Sequence, residues 1–354
     1  MPVNLLKNTI EYLAAPLSFV VNKCFEQGYF PDQLKIARVV PVHKREDINQ
    51  PSNYRPISIL PAVSKVFEAL LKTRINGYIE SLSLLSDDQH GFRGGRSTIT
   101  AMTEIVQYIC NAMDETEEIQ LCCVDLSKAF DCVSHQILCN KLSYYGIRGP
   151  VLELLSSYLQ DRCQMVNWKG QTSLRKKIRH GVPQGSILGP LLYIIYADDL
   201  VYNVEADGIK LYADDTTFIN SSKNREDLEE KSIRSVREAE SWLKANNLTL
   251  NEQKTQQLVV TMRHQGQQSS LSLLGFLVDG SLSWADHIVS LCRKLSSAIY
   301  SIRRIKFIAG STAALLTYHA HFHSLASYGV ILWGASTRWR KMYDLIRNGC
   351  CFCK

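Results

Sequence analysis

The sequence predicts an α+β fold, and three observations carry that prediction. Residues 209–219, Ile-Lys-Leu-Tyr-Ala-Asp-Asp-Thr-Thr-Phe-Ile, set two adjacent carboxylates between two short β-prone runs, as in a hairpin with acids at its tip. Further β-prone apolar runs lie at 36–44, 120–126 and 257–261. Around and after them apolar residues fall at helical spacing, with little β signal from Asp286 to Trp333.

At 354 residues the chain can bury a sizeable core in one large domain or two to three smaller ones. The formal charge of +6 permits a nucleic-acid partner without requiring one. Basic residues concentrate at Arg175-Lys176-Lys177-Ile178-Arg179-His180 and recur at Arg293, Lys294, Arg303, Arg304 and Lys306. Such runs are solvated surface in the ordinary case and a phosphate-tracking groove in a nucleic-acid enzyme. The eleven cysteines sit mostly in apolar contexts and form no legible disulfide framework. Cys350 and Cys353 form a C-x-x-C with no second ligand pair in reach, so no zinc site is expected there. The start lacks a secretory layout and no apolar run reaches membrane-span length, so the expectation is a soluble intracellular chain without a membrane partner, in nucleus or cytoplasm.

In chain order, residues 4–27 read as a helical lead-in closed by Gly28. Ile36 to Lys44 is strand-like, and a polar loop follows to Tyr54-Arg55-Pro56-Ile57-Ser58. If that loop returns Arg55 beside Lys44, the pair would clamp a polyphosphate; otherwise both are surface. Ser64 to Ile79 is an amphipathic helix. Gln89-His90-Gly91-Phe92-Arg93-Gly94-Gly95-Arg96 is either a backbone-approach and phosphate loop or a plain loop before a helix starting near Thr98.

Residues 120–126 read as a buried strand ending in an acid, and Asp125 needs a partner there. Ser127 to Asp131 turns into a helix through about Tyr145, and Gly181 to Leu192 is a tight turn feeding a helix with Pro190 in its first turn. That helix runs to a second Tyr-Ala-Asp-Asp at 196–199. Asp198 and Asp199 fall in or near its last turn, where the dipole disfavours anions and side chains diverge, so the chemistry is assigned to Asp214 and Asp215. Two carboxylates at a hairpin tip are either turn formers or ligands whose repulsion a divalent cation relieves. Residues 225–246 form a charged helix, Leu248 to Thr255 leads into a strand at 257–261, and Leu274 to Gly280 gives a short strand and turn.

Taken together and in order, Asn53-Tyr54-Arg55-Pro56-Ile57-Ser58, Gly91-Phe92-Arg93, Asp125 to Asp131, Gly181 to Pro190, Tyr212 to Asp215, Lys254-Thr255 and Leu274-Gly275 to Asp279 resemble the reverse transcriptase domain of non-long-terminal-repeat, LINE-like or jockey-like retrotransposons. The likeness runs from about Ile36 to Asp279, with weaker matches at Tyr328-Gly329 and Trp333-Gly334. It implies a right-hand polymerase: residues 1–34 as a helical N-terminal extension, 35–280 as fingers and palm, and 281–354 as a truncated helical thumb. The implied activity is RNA-directed DNA polymerisation, adding deoxynucleotides from dNTPs to the 3′-hydroxyl of a DNA primer on an RNA template. Asp125, Asp214 and Asp215 would hold two Mg²⁺ ions, with Mn²⁺ as a substitute. Lys254 would protonate the leaving pyrophosphate, with an exposed strand-end lysine as the alternative. Arg55 and Lys44 would face the triphosphate, Phe130 would exclude a 2′-hydroxyl, and Gln184 and Gly185 would flank the incoming nucleotide and template.

Full-length elements of this kind carry an endonuclease before the polymerase, and this sequence has none. The Thr261–Leu274 interval is shorter than the resemblance leads one to expect, and the chain stops at Gly349-Cys350-Cys351-Phe352-Cys353-Lys354. The expectation is an excised or decayed fragment of a mobile element, weak or inactive by itself, with no obligate protein partner evident. The alternatives are a remnant that binds nucleic acid without polymerising, and an RNA-templated RNA polymerase.

Overall fold

The computed structural model describes residues 3–44, 47–261 and 270–336. Cys350 and Cys353, the end at 349–354 and most of the 261–274 interval therefore lie outside the described residues.

The chain opens with α1 (Val3–Asn8) and α2 (Ile10–Glu26), a break at Thr9 splitting the predicted single lead-in helix. A first sheet then begins with β1 (Ile36–His43) and β2 (Tyr54–Ile59), paired antiparallel with Val42 opposite Arg55. Next come α3 (Ala62–Ser81) and α4 (Thr98–Asp114). The start of α4 is fixed by a reciprocal cap: Ser97 Oγ accepts from Thr100 N–H at 3.2 Å while Ser97 N–H donates to Thr100 Oγ1 at 2.9 Å. After β3 (Glu118–Val124) follow α5 (Ala129–Cys132), α6 (His135–Tyr144) and α7 (Pro150–Leu159). The predicted continuous helix to Tyr145 is thus divided, because Val133 turns extended and the Ser134 hydroxyl caps a new helix at Ile137 N–H.

β4 (Cys163–Trp168), β5 (Gln171–Thr172) and β6 (Lys176–Lys177) complete the first sheet, with β1 and β4 parallel and β5 and β6 both paired to β4. Then α8 (Gly189–Ala197) is buried along nearly its whole length, which explains why its sequence is apolar on every side. The rest comprises β7 (Gly208–Tyr212), β8 (Asp215–Ser222), α9 (Arg225–Ala245), β9 (Gln256–Val260), β10 (Ser270–Leu273), β11 (Phe276–Asp279), α10 (Ala285–Thr317), kinked at Gly310 where the backbone leaves the helical conformation, α11 (Ser324–Ser327) and α12 (Val330–Trp333). Leu274 and Gly275, predicted to start a strand, form the β10–β11 turn, both with φ positive at 48° and 87°.

The second sheet positions the site. It is antiparallel throughout, in the order β7-β8-β3-β9, so β3 lies between β8 and β9. Alternation along β3 sends Cys122 and Val124 into one core, with Phe218 and α8, and Ile119 and Leu121 into the other, with Leu258, α4 and α10. Packing on both faces holds the sheet rigid, and Asp125 emerges at the end of its central strand.

Candidate active site

Tyr212 pairs with Asp215 across β7 and β8, which leaves Ala213 and Asp214 as a two-residue turn. Ala213 adopts a left-handed conformation at φ 58°, a cost of about 1–2 kcal/mol for a residue with a Cβ. The turn lifts Asp214 beside the end of β3, close enough for the Asp125 charge to act on it. Burial first, and then the Asp125 charge, raise the Asp214 pKa, while the Arg55 guanidinium opposes them. Asp215 opens to solvent on one side, yet the protein packed around it, followed by the charges of Asp214 and Asp125, pushes its carboxyl to about 6. Three carboxylates therefore share one electrostatic environment.

The third acid is held by Asn251, a residue to which the sequence alone assigned no role. Asn251 donates its side-chain amide to Asp125 Oδ2 at 3.1 Å and its backbone N–H to the Asp125 carbonyl at 2.9 Å. The same turn returns Lys254 N–H to the Asn251 carbonyl, and Lys254 Nζ stands 4.0 Å from Asp125 Oδ2 with its side chain largely exposed. A cation on an exposed arm beside the acids can reach a departing group without being locked in an ion pair.

Around this centre the other predicted residues take distinct places. Arg55 projects from β2, and the β1–β2 ladder continues through Lys44 N–H to the Asn53 carbonyl at 2.7 Å, putting Lys44 and Arg55 on one face of the ladder. Phe130, on α5, stacks against Tyr193 of α8 at 4.5 Å between ring centroids and meets the edge of Phe92 at 6.3 Å. Tyr193 is fully buried, and burial followed by the charges of Asp214 and Asp215 raises its hydroxyl pKa strongly, so Phe130 rests on a ring adjoining the acids. Gln184 Nε2 lies 3.0 Å from both oxygens of Asp131. The Gln184 carbonyl accepts from Ser58 N–H at 2.7 Å, and Gly185, at φ 106°, lies so close to the Ser58 carbonyl that a Cβ would crowd it. These contacts pin the 181–189 turn to β2 and α5. Asp131, Tyr193 and Asn251 were absent from the sequence-derived site because each acts through a partner distant in sequence.

Two features depart from a phosphate-binding reading or from equivalence with the hairpin. Arg93 bonds Glu80 and the Ser86 carbonyl, and Arg96 bonds Asp87, so both arginines of the glycine-rich loop are spent internally. Asp198 is buried and accepts from Ser86 N–H at 2.9 Å and Tyr145 O–H at 2.6 Å, while Asp199 pairs with Lys141 at 2.6 Å. Both acids of the upstream Tyr-Ala-Asp-Asp are thus engaged by groups of the protein itself.

The donor chemistry suits a hard divalent cation, since oxygen ligands from a few carboxylates are what Mg²⁺ takes, the remainder coming from water and substrate phosphate. Among the described residues, no three acidic, imidazole or thiolate groups are gathered closely enough to hold an ion by themselves.

An antiparallel sheet carrying a strand-end acid beside an acidic hairpin, together with a second main sheet and the surrounding helices, gives an α+β polymerase fold. The chain belongs to the reverse transcriptase family: the family described as reverse transcriptase (RNA-dependent DNA polymerase) matches residues 42–278. Among relatives, a probable RNA-directed DNA polymerase from transposon BS of Drosophila melanogaster is 30% identical over 91% of this chain and 38% of its own length. The RNA-directed DNA polymerase from mobile element jockey of the same species is 30% identical over 79% of this chain and 31% of its own length. The chain thus spans well under half of these relatives. In fold it is similar to the telomerase of Candida tropicalis solved with a fragment of telomeric RNA, at TM-score 0.53 and 13% identity, covering 92% of this chain and 59% of that one. No described helix is long and apolar enough to cross a membrane.

Proposed function

We propose that this chain is an RNA-directed DNA polymerase domain of a non-long-terminal-repeat retrotransposon, joining deoxynucleotides to a primer 3′-hydroxyl on an RNA template. The observation that carries the reading is the convergence of Asp125, from the central strand, on Asp214 and Asp215, from the hairpin, with the Asp125 charge raising the pKa of both hairpin acids and the Asp214 charge that of Asp215. Family membership and the transposon relatives support it. Residues 35–280 would serve as fingers and palm and 281–354 as thumb.

Asp125, Asp214 and Asp215 would hold the divalent ions, Mg²⁺ or Mn²⁺ as its substitute. When bound, such ions lower the pKa of the attacking hydroxyl and neutralise charge on the departing oxygens. Arg55, beside Asp214, and Lys44, on the same ladder face, would draw the triphosphate toward the acids. Phe130, backed by Tyr193, would close the space beside the sugar C2′. The Gln184–Gly185 turn would lie along the base and template. Lys254 would donate its proton to the pyrophosphate as it leaves.

Primer extension on a homopolymer RNA template, with deoxynucleotides and ribonucleotides supplied separately, tests the proposal. Deoxynucleotide addition that stops on chelation is expected. Ribonucleotides as the better substrates would point to RNA synthesis instead, and binding without extension to a non-polymerising remnant.

A further inference from the structure

The glycine-rich loop supplies no free arginine, yet it touches the catalytic hairpin at four points. Leu211 N–H donates to the Asp88 carbonyl at 2.9 Å, and His90 N–H returns to the Leu211 carbonyl at 2.8 Å. Between them, the Gln89 side chain is fully buried, and its Oε1 accepts two backbone N–H groups: Gly91 at 2.7 Å and Ala213 at 3.1 Å. Two donors meeting at one atom fix the orientation of the amide, because the reverse orientation would set its NH₂ against both. Nε2 is left buried without a partner among the described residues, a cost that a merely space-filling residue would not incur. Gly91 completes the fit, since a Cβ there would overlap Ala213 N. Lys210, paired with Asp88 at 2.6 Å and Glu104 at 2.5 Å, ties the same loop and α4 to β7.

Ala213 is the residue that must stay left-handed for Asp214 to face Asp125, and its only amide N–H is the one that Gln89 takes. We propose that Gln89 is a positioning residue for polymerisation: it holds the acidic turn through the Ala213 amide, so that the loop carrying it sets the placement of Asp214 and Asp215. The proposal rests on the nucleotidyl-transfer reading of the three acids. It assigns the Gln-His-Gly segment a role in ion affinity and turnover in place of phosphate binding.

The test compares wild type, Gln89→Met and Asp214→Asn. Methionine nearly matches the volume of glutamine and lacks the acceptor, so a packing role leaves this variant close to wild type. Three quantities are read: Mn²⁺ affinity by electron paramagnetic resonance with template-primer and a non-hydrolysable dNTP analogue present, single-nucleotide turnover with its dNTP KM, and amide-resolved hydrogen exchange at Ala213. Gln89→Met is expected to weaken Mn²⁺ binding about tenfold and slow turnover about tenfold to a hundredfold, as misplacement of a reacting group does, with KM within about twofold. The Ala213 amide, slow to exchange in wild type, is expected to exchange at least about tenfold faster. Wild-type Mn²⁺ affinity and turnover in Gln89→Met, alongside an inactive Asp214→Asn, would overturn the inference and leave the active-site reading intact. Full turnover in Asp214→Asn would overturn that reading itself. Should Gln89→Met fail to fold, exchange in the wild-type protein decides, and a fast Ala213 amide counts against the clamp.

Discussion

Gln184 donates its side-chain amide to Asp131, whose two carboxylate oxygens both lie 3.0 Å from Nε2. Asp131 thereby fixes a residue proposed to lie beside the nucleotide, and burial raises the pKa of its carboxyl. Asp131→Ala frees Gln184, and the expected result is a dNTP KM raised about tenfold, the loss of one charge-assisted hydrogen bond. Steady-state kinetics at saturating template-primer check it. An unchanged KM would mean that Gln184 needs no fixing.

Phe130 is held by its stack on Tyr193, so its shape beside the sugar is well determined. Phe130→Val is expected to raise the ribonucleotide to deoxynucleotide ratio of kcat/KM by at least about tenfold, within the range that pocket volume can supply. Side-by-side kinetics with one matched pair of triphosphates measure it. The same ratio in variant and wild type would reduce Phe130 to core packing.

The buried Asp198 anchors Ser86 and Tyr145. Asp198→Ala leaves a backbone N–H and a hydroxyl without their acceptor and is expected to cost about 2–4 kcal/mol of stability. Activity per folded molecule should persist, as it should in the Asp198→Asn, Asp199→Asn double variant. A well-folded but inactive double variant would mean that the upstream repeat does the chemistry.

His287 is buried beneath the β10–β11 hairpin, and its Nδ1 accepts from Leu277 N–H at 3.3 Å, so it is held neutral. Burial, then the Lys294 charge, lowers its pKa from 6.5 to about 4. Below pH 6.5 the unfolded chain takes up a proton that the folded chain refuses. Stability from this group is therefore complete above 6.5 and falls with acidification, by about 3 kcal/mol on reaching pH 4. Urea unfolding of wild type and His287→Gln at pH 7 and 4.5 isolates the contribution. An equal loss in both proteins would remove His287 as its source.

The parts of this site that were legible in the sequence are those written in a few consecutive residues. A turn between β-branched runs marked the 209–219 hairpin, and an acid closing an apolar run marked Asp125. An all-apolar stretch ahead of the second Tyr-Ala-Asp-Asp marked α8. What was hidden depends on distant pairing: Asn251 reaches Asp125 across 126 positions, and Gln184 reaches Asp131 across 53. β4, Cys-Gln-Met-Val-Asn-Trp, shows no clean alternation because every residue but its exposed last is only half-buried. Arg93 and Arg96 looked available for phosphate because sequence does not reveal that Glu80, Ser86 and Asp87 fold back onto them.

The central claim is that Asp214, with Asp125 and Asp215, carries nucleotidyl transfer. Its most direct test is the single-turnover rate of one deoxynucleotide addition by Asp214→Asn on an RNA template, with template-primer affinity measured on the same preparation. The substitution keeps size and removes the charge that a divalent ion needs. A rate reduced at least about a thousandfold, with affinity within about threefold, is the predicted result. A near-wild-type rate in the folded variant would contradict it.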